Sequence, residues 1–431
     1  MNEVLRIALR NVLRHKKRAF ITAITMMVGI ALFIGFDSMM AGLDRLSIEN
    51  MINLSYSSLK IFTNAYVAER DVYPLDYGIP DPGKLAAELK NDPRVRSVTQ
   101  RTEFLGELSD YHNSLPVRGI VVDPPLDAKV FTLADHISGS FFGQRGNPAA
   151  GVDPGSLAQA TNPIVIGSGL AVKFNLKIGD TILLSAHTRY DAQNADEFTV
   201  IGLLSSLDPT LDDNSVFITY NTANDFLDLG NLVTETDVRL VHRVNLDETV
   251  HDATAVAAAV KSGNPTLDAQ TFKELGRAYF DLMNSKRSIT IALILVILLI
   301  AAVGIVNTVL MSVYSRIREV GVLKALGFRR GEVVWMFTFE GIFVGVIGSV
   351  MGAILGILID LYLIFVGFPL DKMAGSSVVG GLSFWGTLYG TWNPGMIVFA
   401  VLFGLAVATV AAVIPARKAA KMTATAALRF V

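Results

Sequence analysis

Four apolar runs punctuate an otherwise mixed chain: Ala19–Phe36, Ile289–Val313, Val334–Val366 and Met396–Ile414. A hydrocarbon core of roughly 30 Å takes about 20 residues of helix at a rise of 1.5 Å each, so each run can cross it. The third run is overlong, and its first turns are expected to lie in the interface or the helix to tilt. Roughly 250 residues of ordinary globular composition separate the first run from the second. The pattern predicts one span, a large domain and then three spans.

The long segment reads as mixed α/β. Asp81–Lys90 begins with an Asp cap and an early Pro followed by helix formers. Val117–Val122 and Ile164–Ile166 read as buried strands, and Ile178–Ser185 and Glu197–Leu204 as the arms of a long hairpin around the polar stretch Ala186–Asp196. A helix is expected over Asp252–Lys261, and helical pattern resumes at Thr271 and continues into the second span as a stalk. Gly, Pro, Ser and Ala dominate between Gly139 and Asn162, which marks a surface loop or a junction between two subdomains. The expected divisions are a cytoplasmic amphipathic segment over 1–18, a first span over 19–42, the large domain over 43–270, stalk and second span over 271–314 and a link over 315–332. A third span over 333–367, an outer loop over 368–394, a fourth span over 395–415 and a tail over 416–431 complete the plan.

Composition agrees with a membrane protein, with 51% hydrophobic and 18% charged residues. The formal net charge of −2 conceals a separation of sign. The two tails and the 315–332 link hold fifteen of the 37 basic residues and three of the 39 acidic ones. Short basic segments stay in the cytoplasm, so both termini and the link are expected inside and the large domain outside. No cysteine is present, which removes disulfides, thiol catalysis and Cys-based metal sites together. The first span lacks an A-x-A cleavage pattern and reads as a retained anchor.

Candidate chemistry is sparse. Gly78–Lys84, GIPDPGK, formally fits the first seven positions of a phosphate loop. It fails on mechanism, because Pro80 and Pro82 lack N–H groups, Asp81 repels phosphate and Leu85 replaces the magnesium-binding hydroxyl. Gly167-Ser168-Gly169 lacks the third glycine of a dinucleotide fingerprint. The six histidines are dispersed without metal-ligand spacing. Neither a catalytic role nor a nucleic-acid partner is expected.

The link SRIREVGVLKALGFRRGE, Ser315–Glu332, carries the most information. On a helix, Val320, Leu323 and Leu326 or Gly327 share one stripe, with Arg318, Glu319 and Lys324 on its polar edges. Such a ridge fits a groove on a cytosolic motor, or equally a helix lying against lipid headgroups. Polar residues inside the spans add Asn307, read as interhelical glue, and Glu340, read as a packing residue or the partner of a basic loop residue. Asp37 and Asp360 lie where they can reach the outer interface. Gly341 and Gly345, then Gly348, Gly352 and Gly356, recur at four-residue spacing, and their flat strip suits packing within the chain or against a second copy.

Asn307–Gly327, NTVLMSVYSRIREVGVLKALG, resembles the coupling region of the MacB/FtsX-type permeases, with Arg318, Glu319, Gly321, Lys324, Ala325 and Gly327 at matching positions. Ala8–Thr22 is similar to that family's entry helix and Pro415–Arg429 to its end, with Ala424 where the family usually has Pro. The resemblance implies an α+β membrane protein with four transmembrane helices and a mixed α/β extracytoplasmic domain inserted between the first and second. It implies a multi-pass permease of the bacterial inner membrane that carries no cofactor of its own. A cytosolic ABC ATPase dimer would bind ATP and magnesium, and a second permease copy or sister permease would complete the dimer. Arg318, Glu319, Val320, Leu323, Lys324, Leu326 and Gly327 would then couple to the ATPase. The hairpin and the following FTVIGLLSSLDPT resemble the lipoprotein-releasing LolC/LolE branch, whereas VGIVNTVLMSV from Val303 resembles the MacB efflux branch. The first implies release of lipoproteins to a periplasmic carrier met by Arg189, Tyr190, Gln193 and Asn194. The alternatives are efflux of peptides or drugs with an adaptor, and FtsX-like signalling to cell-wall hydrolases.

Overall fold

The computed structural model describes residues 10, 16–144, 160–206, 208–241, 246–369 and 387–422. Most of the expected amphipathic start, the 139–162 junction, the outer loop and the tail therefore lies outside the described residues. In chain order the elements are α1 (Lys16–Met51), β1 (Leu59–Thr63), α2 (Asn64–Ala68), α3 (Pro82–Lys90), β2 (Val95–Ser109), β3 (Ser114–Val122), α4 (Pro124–Val130), β4 (Ile137–Gly139) and β5 (Pro163–Gly167). Next come α5 (Ser168–Phe174), β6 (Thr181–His187), β7 (Gln193–Leu204), α6 (Pro209–Asn214), β8 (Ser215–Thr219), α7 (Tyr220–Leu227), β9 (Glu235–Leu240), α8 (Leu246–Gly263) and β10 (Leu267–Thr271). The chain closes with α9 (Phe272–Leu275), α10 (Arg277–Ser315), α11 (Ile317–Ala325), α12 (Arg330–Phe365), the short strands β11 (Phe368–Pro369) and β12 (Thr387–Leu388), and α13 (Pro394–Lys421). Two compact units result, an α/β unit built from Leu46–Asp281 and a helical unit containing Leu282–Met373 and the flanking terminal helices.

In the α/β unit, β2 pairs β3, β3 pairs β8, β8 pairs β5, β5 pairs β7, β7 pairs β6, and β6 returns to β2, closing a six-stranded barrel. Closure leaves none of those six strands with a fully open edge. Phe104, Leu108, Val121, Ile164, Ile166, Ile182, Leu184, Phe198 and Ile218 form the apolar core inside it. The first half of β2 pairs β9, which carries β1 and then β10 away from the barrel.

The hairpin is found, with one change: strand pairing continues to His187↔Gln193, so most of the polar stretch Ala186–Asp196 is strand. Residues 193–197 are exposed or half-buried in unbroken succession, which gave that end of the strand its loop-like composition. Asp81 occupies the expected cap position with a left-handed backbone (φ 47°) and no side-chain cap bond.

A polar layer is buried on the β1–β9–β2 face. The Lys60 ammonium donates to both Glu235 oxygens at 2.8 and 2.9 Å and lies 3.5 Å from Asp237. Arg101 donates in bidentate fashion to Asp127 at 2.7 and 3.0 Å and stacks 3.5 Å over Phe131. Burial, reinforced by the neighbouring Glu235 charge, pushes the Asp237 carboxyl well above the usual carboxylate range against the pull of Lys60 and Arg101. Ser57 Oγ donates to the Leu59 carbonyl at 2.9 Å and lies 3.3 Å from Asp237.

Among the described residues, three helices are long and apolar enough to cross a membrane: Ala19–Tyr56, Arg330–Phe365 and Pro394–Lys418. The remaining expected span falls within α10, whose described apolar stretch is Ala302–Ser315. The glycine strip on α12 is spent inside the chain. A Cβ at Gly341 or Gly345 would stand 2.3 or 2.5 Å from Ala412 or Ala408 of α13, and one at Gly348, Gly352 or Gly356 would stand 2.8–2.9 Å from α1. This strip is therefore covered by the chain's own helices and is not a surface for a second copy. Asp360 is buried rather than at an open interface, and it accepts a hydrogen bond from Ser38. The close approach of α1 and α12 that the glycines permit sets these two side chains face to face.

Candidate coupling site

Between Ser315 and Arg330 the chain makes one short helix held by a device at each end. Arg316 leaves helical geometry (φ −128°, ψ 19°), which separates α10 from α11. At the other end Gly327 adopts φ +96°, a conformation a Cβ would strain. With it, the Gly327 N–H donates to Lys324 O at 3.1 Å and the Phe328 N–H to Leu323 O at 3.1 Å, so the last carbonyls of α11 are satisfied. The Glu332 carboxylate then accepts from the Arg329 N–H at 2.8 Å and caps α12.

The ridge expected to face outward is divided by the fold. Val320 is buried in the core that joins Val313, Val333 and Met336, and Leu323 packs beside it, so these two hold α11 to the bundle instead of offering themselves to a partner. The exposed apolar side chains are Val322 (48%) and Leu326 (73%), flanked by exposed Arg318 and Glu319. Val322 was not among the expected contacts. Its helical phase is the signal, since it lies one turn beyond Arg318 and four residues before Leu326. Gly327 is exposed, and its role is the helix end.

Lys324 and Glu340 both point inward. Lys324 donates to the carbonyl oxygens of Ala420, at 2.7 Å, and of Met422, at the end of α13. Its partial burial, with Arg330 nearby, lowers its pKa from the usual lysine value. Glu340 accepts from Ser312 at 2.8 Å and forms an ion pair with Arg316 at 3.5 Å, and Arg316 also donates to Glu319 at 2.8 Å. The Arg316 guanidinium stands 5.8 Å from the Phe337 ring centroid. Glu340 thus has the basic loop partner expected of it. Arg316 was not singled out from the sequence, although its i,i+3 spacing to Glu319 is visible there.

The other expected residues lie apart from this site. In the hairpin turn, Asn194 donates to Phe226 O at 2.9 Å and Arg189 to Leu229 O at 3.3 Å. Tyr190, 75% exposed, and Gln193 stand free in solvent. Asn307 is exposed on α10. Among the described residues no group of three or more His, Asp or Glu is placed to hold a metal ion.

A membrane bundle carrying a short helix at one set of helix ends and a separate α/β unit defines a permease-like class, and sequence comparison places it. Residues 291–424 match the FtsX-like permease C-terminal family and residues 19–257 the MacB-like periplasmic core domain family. The chain belongs to the MacB/FtsX-like family of ABC transporter permeases. The macrolide export ATP-binding/permease protein MacB of Campylobacter jejuni is 24% identical over 409 residues, covering 90% of this chain and 58% of that protein. The ABC transporter permease YtrF of Bacillus subtilis is 24% identical over 97% of both chains. An uncharacterized ABC transporter permease of Methanocaldococcus jannaschii is 25% identical over 42% of this chain and 44% of its own length. The chain thus spans about half the length of several curated relatives it matches. Among solved structures, the periplasmic region of MacB from Actinobacillus actinomycetemcomitans aligns with 54% of this chain and 96% of its own, at 16% identity and a TM-score of 0.33.

Proposed function

We propose that this chain is the membrane subunit of an ABC transporter that carries motion from a cytosolic ATPase dimer to its α/β unit on the far side of a bacterial inner membrane. The observation carrying this reading is the α11 surface, where Arg318, Glu319, Val322 and Leu326 stand exposed on a helix fastened to the bundle through Val320, Leu323, Arg316 and Lys324. A loose loop would yield under load, and a fastened helix passes displacement on. ATP and magnesium belong to the partner ATPase, and this chain is not itself catalytic.

Four spans with both termini inside fit the charge pattern. Exposed Trp335 and Tyr362 on α12 are about 40 Å apart at 1.5 Å per residue, the spacing of the two aromatic belts of a bilayer. The working unit is a dimer with a second copy or a sister permease. Since α12 uses its glycine strip internally, the exposed face of α10 around Val303, Asn307 and Met311 is left for that contact.

Export of the MacB kind, with a periplasmic adaptor, is the cargo reading with more support, because the MacB-like core domain match covers 19–257 and relatives bear that name. Lipoprotein release to a carrier rested on the hairpin turn, where Arg189 and Asn194 bond the chain's own carbonyls and leave Tyr190 and Gln193 for contact. Purification with native partners, mass spectrometry of what co-elutes and reconstitution in vesicles separate the cases. Macrolide or peptide movement supports export, release of acylated protein supports the carrier reading, and ATP turnover without cargo movement supports a signalling role.

A further inference from the structure

The last four carbonyls of a helix have no partner within it, and a cation placed there is favourable both as a donor and against the helix dipole. At the end of α13 that cation comes from a different element. Lys324, on the last turn of α11, reaches the carbonyls of Ala420 and Met422, almost a hundred residues further along the chain. The like-charged Arg330 stands near this ammonium. The side chain is thus spent on backbone oxygens at the end of α13. At the opposite end of α11, Arg316 is tied to Glu340 of α12. The two receiving helices are themselves in close contact through Gly341 against Ala412 and Gly345 against Ala408.

We propose that Lys324 is a positioning residue that locks the C-terminal turn of α13 to α11, so that displacement of α11 is delivered to α13 directly and not only along α10. This rests on the reading that α11 is the surface an ATPase moves. The arrangement makes α11 a crossbar between α12 and α13, joined to α10 by the single non-helical residue Arg316. A displacement of the crossbar shifts the ends of α12 and α13 together, while the break at Arg316 lets α10 respond separately.

The experiment is hydrogen–deuterium exchange on the full-length permease in nanodiscs, co-purified with its ATPase, with and without ATP and vanadate. In the unsubstituted complex, the last turn of α13 over 416–422 changes its exchange together with α11 when ATP and vanadate are added. In Lys324→Met, exchange in that turn is about tenfold faster at rest, and its response to ATP and vanadate disappears, while α11 is still protected when the ATPase is bound. Lys324→Arg, which can still donate to both carbonyls, restores the response. A native-like response in Lys324→Met overturns the proposal, and so does failure of Lys324→Arg to restore it. An α11 left unprotected by the ATPase in the unsubstituted complex overturns the docking reading, and this proposal with it, before any variant is made. If Lys324→Met does not insert, Lys324→Leu gives the same comparison with no donor retained, and a full native response in it overturns the proposal.

Discussion

Replacing Glu340 by Leu removes one half of a pair that is nearly out of solvent, since the two side chains are 9% and 10% exposed. At 3.5 Å, an effective dielectric of about 20 puts the gross attraction near 5 kcal/mol. Much of that is offset, because Glu340→Leu also relieves the carboxylate of its desolvation and leaves Arg316 its 2.8 Å bond to Glu319. The Ser312 hydroxyl loses an acceptor at a cost of about 1 kcal/mol. The net expectation is a loss of about 1–3 kcal/mol for Glu340→Leu, and less for Glu340→Gln, which keeps the Ser312 bond. Arg316→Met has a similar cost because Glu340 loses the Arg316 ion pair and keeps its Ser312 bond. The double variant is then less destabilised than the sum of the singles, with a coupling of about 1–2 kcal/mol. Equilibrium unfolding of the full-length protein in nanodiscs measures all four corners of the cycle. Additive single effects, with coupling under about 0.5 kcal/mol, would refute the pairing as an energetic contact.

Gly352→Val is expected to cost about 1–3 kcal/mol in the same assay, because its Cβ would press within 2.8 Å of Ile30 Cβ and 2.9 Å of the Met27 carbonyl. An unchanged midpoint would mean that α1 and α12 do not pack as described. A carboxyl whose pKa is raised by folding stabilises below its unfolded pKa and loses that contribution as pH rises through the folded value. Asp237→Asn should therefore retain stability near pH 4 and show a flatter decline as pH rises above the ordinary carboxylate range. A steeper decline, read from thermal unfolding of the full-length protein, would contradict the upward shift. Lys60→Met leaves Glu235 buried without its cation and should cost about 3–5 kcal/mol, with partial recovery in Lys60→Met combined with Glu235→Gln. No recovery in the double variant would show that the polar layer is not a pairing problem.

Apolar periodicity reveals what faces lipid or a dry core, which is why β3, β5, α8 and the long helices were visible in the sequence. It does not reveal a strand buried through its charges. Glu235–Leu240, ETDVRL, is not among the expected strands, yet Glu235 and Asp237 are buried beside Lys60, which comes from a strand far away in sequence. The barrel was similarly hidden, because its closure depends on β2 being 15 residues long and pairing with different partners at its two ends. At the coupling helix, amphipathic phase was legible and its direction was not. Val320 and Val322 are both apolar, and only the packing of Val313, Val333 and Met336 decides which of them turns inward. The double bond from Lys324 to α13 has no local signature, since its acceptors are backbone carbonyls almost a hundred residues away.

The central claim, that α11 and the α/β unit lie on opposite sides of a membrane, can be tested against a clean background because the chain has no cysteine. The measurement is labelling of single-cysteine variants Val322→Cys and Tyr190→Cys in intact cells with a membrane-impermeant maleimide, after opening the outer barrier alone. Both positions are exposed, at 48% and 75%. The account predicts labelling of Tyr190→Cys at once and of Val322→Cys only after the inner membrane is permeabilised. Labelling of both from the same side would contradict it.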